Sequence, residues 1–286
     1  MRKTILIAGA SGLLGREVVA ACKRRGHKII AMVRDPKAKV DCDELRVADA
    51  LKPDTLKDLC RGVDVVFSCV GASVSLSLGK GWRSYTAVDI PANLNLLAAA
   101  KTANVGRFVY VSFHGAREMM HLNYAIAHEK VVDAIIESKL PYGIMRPVGF
   151  FSALAELQDL ARRGVIPEIG DGTTRTNPIH DTDLAEACLE VIEDTNPAIE
   201  RSVGGPDILT RHQINELAFA GLNKKPRILH LPPWLMKTNG YLSRPFHPRI
   251  SHAISFFATV ATRDSIAPCF GTRTLQAFYQ ERGTLR

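Results

Sequence analysis

Short apolar runs alternate with longer amphipathic stretches through the first 147 of the 286 residues. The runs TILIAG (4 to 9), KIIAMV (28 to 33), a weaker LRVA (45 to 48), DVVFSCV (64 to 70), RFVYVS (107 to 112) and YGIMR (142 to 146) lack alternation between faces. That is the pattern of strands buried on both sides of a parallel sheet. Segments 13 to 25, 53 to 61, 85 to 104 and 122 to 139 carry apolar residues at helical spacing, with KPDTL and IPANL placing proline near helix starts. The alternation predicts an α/β fold, a Rossmann-type doubly wound parallel sheet over residues 1–147.

After Pro147 the rhythm is less regular. A helix is expected at about 150 to 163, then a glycine-rich turn GDGTTR. A helix capped by Asp181 or Thr182 should run to Glu193, followed by a strand, a turn and another helix from Thr210. Residues 226 to 286 hold six prolines and resist assignment. Residues 148–286 are therefore read as a smaller mixed α/β substrate lobe, part of which (about 178–205) returns to the core.

Composition narrows the class. An apolar fraction of 46% with 23% charged residues is that of a soluble globular protein. No apolar run reaches the ~18 residues needed to span a bilayer, and the N-terminal run breaks at Gly9, against an export signal. Six scattered cysteines form neither a disulfide framework nor a zinc spacing, so a reducing, cytoplasmic setting is expected. Residues 201–286 hold 12 Lys+Arg against 4 Asp+Glu, which accounts for the whole net charge of +8. These cations, Lys237, Arg244 and Arg286 among them, are spread out rather than clustered, which argues against nucleic acid. They leave open a solvated surface, an acidic partner or a peripheral membrane contact.

Candidate chemistry starts at the first strand end. In IAGASGLLGREVV, Gly9, Gly12 and Gly15 follow a strand and open a helix, the context in which such a triplet binds a dinucleotide. The segment Gly9, Ala10, Ser11, Gly12, Leu13, Leu14, Gly15 is expected to approach a pyrophosphate at a helix N-terminus. Arg34 closes the second strand with Lys37 and Lys39 close by, which favours a 2′-phosphate and hence NADP(H) over NAD(H). Asp35 is the competing reading. Asp49, with Ala50, is placed to accept from the adenine amino group or to cap its own strand end. Cys69, Val70 and Gly71 should run beside the riboses.

The glycine triplet, VRD after strand two, AD at Asp49, CVGAS, YVSFHGA, the tyrosine helix, LPYGIMRPVGFF and NPIHDTDLAEA together resemble the atypical branch of the short-chain dehydrogenase/reductase superfamily, the NmrA-like NAD(P)H-binding proteins. The resemblance covers about residues 3 to 220. The tail DSIAPCFGTRTLQAFY also resembles the ends of some family reductases, including chlorophyll-pathway divinyl reductases.

What the resemblance implies for chemistry is a Tyr-x-x-x-Lys pair on the helix after strand five, the tyrosine handling a proton and the lysine lowering its pKa. Tyr124 takes the first position, but the residue four on is His128. Lys130 is rotated about 120° from Tyr124 around the helix and cannot replace it. His128 shares the face of Tyr124 but, with an ordinary pKa of about 6.5, is mostly neutral. The family's serine position falls on Ser112 or His114. Pro147 and Gly149 are implied near the nicotinamide amide, with Phe150 or Phe151 against a small-molecule substrate. His180 and Asp181 either touch that pocket or begin a helix. His114, His121 and His128 lack the spacing and carboxylate of a metal site, and no metal is expected. Two functions remain: a reductase acting through cofactor placement, and a non-catalytic NADP(H) sensor, regulator or assembly factor. A nucleotide-sugar epimerase or dehydratase is disfavoured because those members keep the lysine.

Overall fold

The computed structural model describes residues 1–72, 83–236 and 248–284. Ser73 of CVGAS and the cations Lys237, Arg244 and Arg286 lie outside them. A seven-stranded sheet dominates, built from β1 (Thr4–Ala8), β2 (Lys28–Val33), β3 (Glu44–Val47), β4 (Val65–Ser68), β5 (Arg107–Val111), β6 (Tyr142–Pro147) and β9 (Ala198–Val203) in the order β3-β2-β1-β4-β5-β6-β9. The pairings β1–β2, β1–β4, β2–β3, β4–β5 and β5–β6 are all parallel. The strand order reverses between β1 and β4, the switch point at which such sheets take ligands.

Both faces of the sheet are covered. Leu6, Ala8, Ile30, Met32, Val66, Phe108, Tyr110 and Ile144 share one core cluster with Ala92, Leu96, Leu97, Val131, Val132 and Ile135. The latter come from α2 (Tyr85–Thr102) and α3 (Asn123–Glu137). The alternate strand residues Ile5, Ile7, Ile29 and Phe67 are equally buried, as are Val18, Val19 and Cys22 of α1 (Leu13–Arg24). Unbroken apolar runs are the sequence signature of that double burial.

Two local differences from the sequence expectation have physical causes. Only Pro53–Leu56 of the expected 53–61 helix is helical, as one 3₁₀ turn. Asp58 adopts φ 60, a left-handed conformation incompatible with continuing a right-handed helix. Pro91 sits inside α2 rather than at its start; the helix tolerates the missing N–H because Ala92, Leu96, Leu97 and Ala100 are all buried behind it.

The chain divides into two compact units. The first is Met1–Ser73, Arg83–Arg146 and Ala185–Arg201; the second is chiefly Pro147–Leu184 and Ser202–Arg286. The second contains α4 (Phe151–Arg163), β7 (Ile166–Ile169), β8 (Arg175–Thr176), β10 (Leu209–Thr210), α6 (Arg211–Ala220), β11 (Ile228–Leu231), α7 (Pro248–Ala261) and α8 (Leu275–Thr284). The helix α5 (Asp181–Glu193) begins in the second unit and continues in the first. Phe151, Ala161, Ile166, Ile214, Phe219, Leu275 and Tyr279 form the core of the second unit. Its β11 pairs with β7 in parallel, and β10 with β8 antiparallel. Thus, among the described residues, the proline-rich stretch after 226 supplies one strand and two helices.

Candidate functional site

The glycine segment forms a tight turn between β1 and α1. The Gly12 amide donates to the Gly9 carbonyl at 2.9 Å, and Gly12 then caps α1. A Cβ on Gly15 would lie 2.1 Å from the Gly9 oxygen, and one on Gly9, whose φ is +92, would meet the Cys69 sulfur at 2.9 Å. No side chain fits at either position without moving backbone. Ser11, Gly12 and Leu13 are exposed, whereas Ala10 and Leu14 pack inward. The first turn of α1 contains no acidic residue and Gly12 offers no side-chain cap, so its amides are directed outward with their positive end dipole. These features fit a dinucleotide pyrophosphate, with Ser11, Gly12 and Leu13 as the segment that would hold it.

Around this turn, Arg34 is exposed at the end of β2, with Lys37 and Lys39 also exposed. The Asp35 carboxylate accepts from the Lys37 amide at 2.8 Å and so is committed to its own loop. Arg16, which the sequence reading passed over, donates to the carbonyls of Ser11 (3.1 Å) and Lys39 (3.2 Å), bracing the glycine turn against the loop after β2. Its only sequence signal was a cation on the exposed face of the first helix. The Asp49 carboxylate accepts from the Leu51 amide at 3.0 Å, an Asx turn at the strand end. Ala50 is buried, its carbonyl accepting from Asn95.

The loop after β4 is held from α2. Buried Asn93 accepts from Ser68 Oγ at 2.6 Å and donates to the Val70 carbonyl at 3.0 Å; buried Asp89 accepts from the Ala72 amide at 2.7 Å. Cys69 donates to the Ala8 carbonyl, and burial pushes its thiol up to about 12, so it stays protonated. Asp89 and Asn93, two polar residues one turn apart on the buried face of α2, were the missed signal for this support.

Tyr124 stands in the first turn of α3 within an aromatic cluster. Its ring lies 5.0 Å from Tyr85 edge-on, 5.1 Å from Phe113 in a stacked arrangement and 4.5 Å from His128 edge-on. Burial, then the Asp89 carboxylate, raises its phenol pKa. His128 is buried, and its Nδ1 shares a 2.8 Å hydrogen bond with the hydroxyl of buried Tyr110. Burial, with Arg146 adding to it, pushes the imidazole down to about 3. Lys130 is exposed. The α3 face therefore carries a phenol and a neutral imidazole with no cation between them.

Ser112 faces a different network. It is buried, donates to Glu129 at 3.4 Å and accepts from Arg146 at 3.3 Å. Arg146 forks onto Glu129, its Nη2 at 3.1 Å, while its Nε reaches Glu200 at 3.0 Å; Arg117 closes on Glu129 from the exposed side. Glu129 is completely buried. His114 is half-buried in the turn after β5. Pro147 ends β6 within the second unit. There, Asp181 accepts from the Ser152 amide at 3.0 Å, tying the start of α5 to α4, and Phe151 meets His180 edge-on at 5.5 Å.

The NAD(P)H-binding family matches residues 9–195. The chain belongs to that family. Its fold and relatives place it among the atypical, NmrA-like short-chain dehydrogenase/reductases. It is 28% identical over 256 residues to the chloroplastic divinyl chlorophyllide a 8-vinyl-reductase of Zea mays, covering 82% of this chain and 63% of that one. This chain thus spans somewhat under two thirds of the maize protein's length. It is 25% identical to the photosystem II assembly factor Ycf39 of Guillardia theta over 280 residues, covering 92% and 85% of the two chains. The Citrobacter sp. triphenylmethane reductase complexed with NADP(H) shares the fold with a TM-score of 0.73 at 18% identity, over 98% of this chain and 99% of that one. No helix among the described residues is long and apolar enough to cross a membrane.

Proposed function

We propose that this family member is an NADPH-dependent reductase that saturates a conjugated carbon–carbon double bond in a small organic substrate. The observation that carries the proposal is the pairing of Tyr124 with a neutral His128. When bound, the nicotinamide supplies hydride. A phenol of raised pKa stays protonated at neutral pH, so Tyr124 can give a proton but is a poor base for withdrawing one. Ketone–alcohol interconversion calls on a tyrosine whose phenolate is accessible; one-way protonation of a carbon beside the site of hydride addition does not. Half-buried Phe113, stacked on Tyr124, offers flat apolar surface suited to a conjugated substrate, while fully buried Tyr85 supports the Tyr124 ring edge-on. Arg34, free of an acidic rival because Asp35 is turned into its own loop, supports NADPH over NADH. The maize relative reduces a vinyl group by name, so divinyl chlorophyllide a is the first substrate to offer. The expected result is oxidation of NADPH matched by a product two hydrogens heavier.

A second reading, a cofactor-binding regulator or assembly factor, draws on the same missing cation and on the Guillardia relative. It predicts binding of NADPH without turnover, together with cofactor-dependent retention of a protein partner. Turnover of the vinyl substrate eliminates it.

A further inference from the structure

The second unit brings together three residues from separate segments: Glu168 on β7, His212 in the first turn of α6 and His230 on β11. We propose that they form a binding site for a divalent transition-metal ion of the zinc class. The expectation of no metal considered His114, His121 and His128; this set was not visible because its members are 44 and 62 positions from Glu168 in sequence and meet only through the fold.

The scaffold is stiff. His230 and Glu168 are direct partners in the parallel β7–β11 register, and the His212 amide is fixed to the Gly172 carbonyl at 3.0 Å. Both Nδ1 atoms converge on one carboxylate oxygen: His212 at 3.0 Å and His230 at 3.1 Å from Glu168 Oε2. Ligand atoms bound to one ion at about 2.1 Å each lie about 3.0–3.4 Å apart, so both N···O separations already match a shared ion. The other carboxylate oxygen accepts from buried Asn215 at 2.8 Å, the outer-shell bond that orients a metal-binding carboxylate. The Glu168 side chain is 2% exposed, while the imidazoles are 41% and 54% exposed. A buried anion thus faces two solvent-facing nitrogen donors, a three-ligand set that leaves a fourth position to water.

Gly172 makes room for the carboxylate itself: a Cβ there would fall 2.3 Å from Glu168 Oε2 and 2.6 Å from its carboxyl carbon, so a side chain at 172 would displace the group on which both imidazoles converge. Two imidazoles and one carboxylate suit zinc, cobalt or nickel better than calcium or magnesium, which prefer all-oxygen shells. In the resting ligand set, each Nδ1 that donates to Glu168 must give up its proton as the ion enters, so binding releases protons to the solvent. The bound ion joins β7, β11 and α6, and stabilises the second unit by mass action.

The test is calorimetric titration of the tag-free full chain with Zn²⁺, repeated with Co²⁺ to read ligand-field absorption. One equivalent should bind, with the visible band of a low-coordinate cobalt site and a rise in melting temperature. His230→Ala, at an exposed position that leaves the fold intact, should weaken binding at least tenfold and abolish the band; Glu168→Gln should do the same. His121→Ala, at an exposed site outside the set, should bind as the parent does. Absence of saturable binding by the parent, or equal affinity in the parent and His230→Ala, overturns the proposal.

Discussion

His128 decides what Tyr124 can do. An imidazole whose pKa is pushed down to about 3 is uncharged at neutral pH, so it cannot supply the field that a lysine would. Its depressed value also has a stability signature. The unfolded chain takes up a proton near the ordinary value of about 6.5, whereas the folded chain does not until about pH 3. The contribution is fully present above 6.5 and is lost as pH falls through that window, at up to about 1.4 kcal/mol per pH unit. Denaturant titrations between pH 7 and 4 should show that slope in the parent and a flatter one in His128→Asn. Arg34 carries a second residue-scale prediction. NADPH at about 100 times its Kd should add about 2.7 kcal/mol of stability. In Arg34→Ala the thermal shift with NADPH should drop to that with NADH, while the NADH shift stays unchanged.

At the scale of elements, the buried Arg146–Glu129 pair ties β6 to α3 and engages Ser112 just past the end of β5. Removing one partner strands a buried charge, so Arg146→Met should cost about 3–5 kcal/mol in chemical denaturation; pairing it with Glu129→Leu should recover much of that loss. This network was hidden in the sequence because Glu129 sits at a helix position beside His128, where a charge would ordinarily face water, and its partner lies on another strand. The strands, by contrast, were legible: double burial requires unbroken apolar runs, and KIIAMV shows it directly. The 53–61 segment was not, since a left-handed turn at Asp58 leaves no mark in apolar spacing. Pro91 shows the same limit, as packing can hold a helix around a residue that local preference places at its start.

At the scale of the whole molecule, four of the twelve cations of residues 201–286 have partners among the described residues of the second unit. Arg273 pairs with Asp183, Arg282 with Asp159, and Lys224 and Arg211 donate to backbone carbonyls within the second unit. The glycine turn was legible as a tight strand-to-helix turn because Gly9 takes a positive φ and Gly15 packs against the Gly9 carbonyl, a steric need that only glycine meets. The Glu168–His212–His230 set was not, because no spacing along the chain announces a site assembled from β7, α6 and β11. If Tyr124 serves as a neutral proton donor in an NADPH-dependent reduction, without help from a cation, NADPH oxidation with divinyl chlorophyllide a by the parent and by Tyr124→Phe, each first shown to bind NADPH equally, separates the two proteins. Turnover is expected in the parent, with a fall in kcat on the order of 10²-fold in the variant; an equal rate in the two proteins, or no turnover by the parent despite NADPH binding, overturns that role.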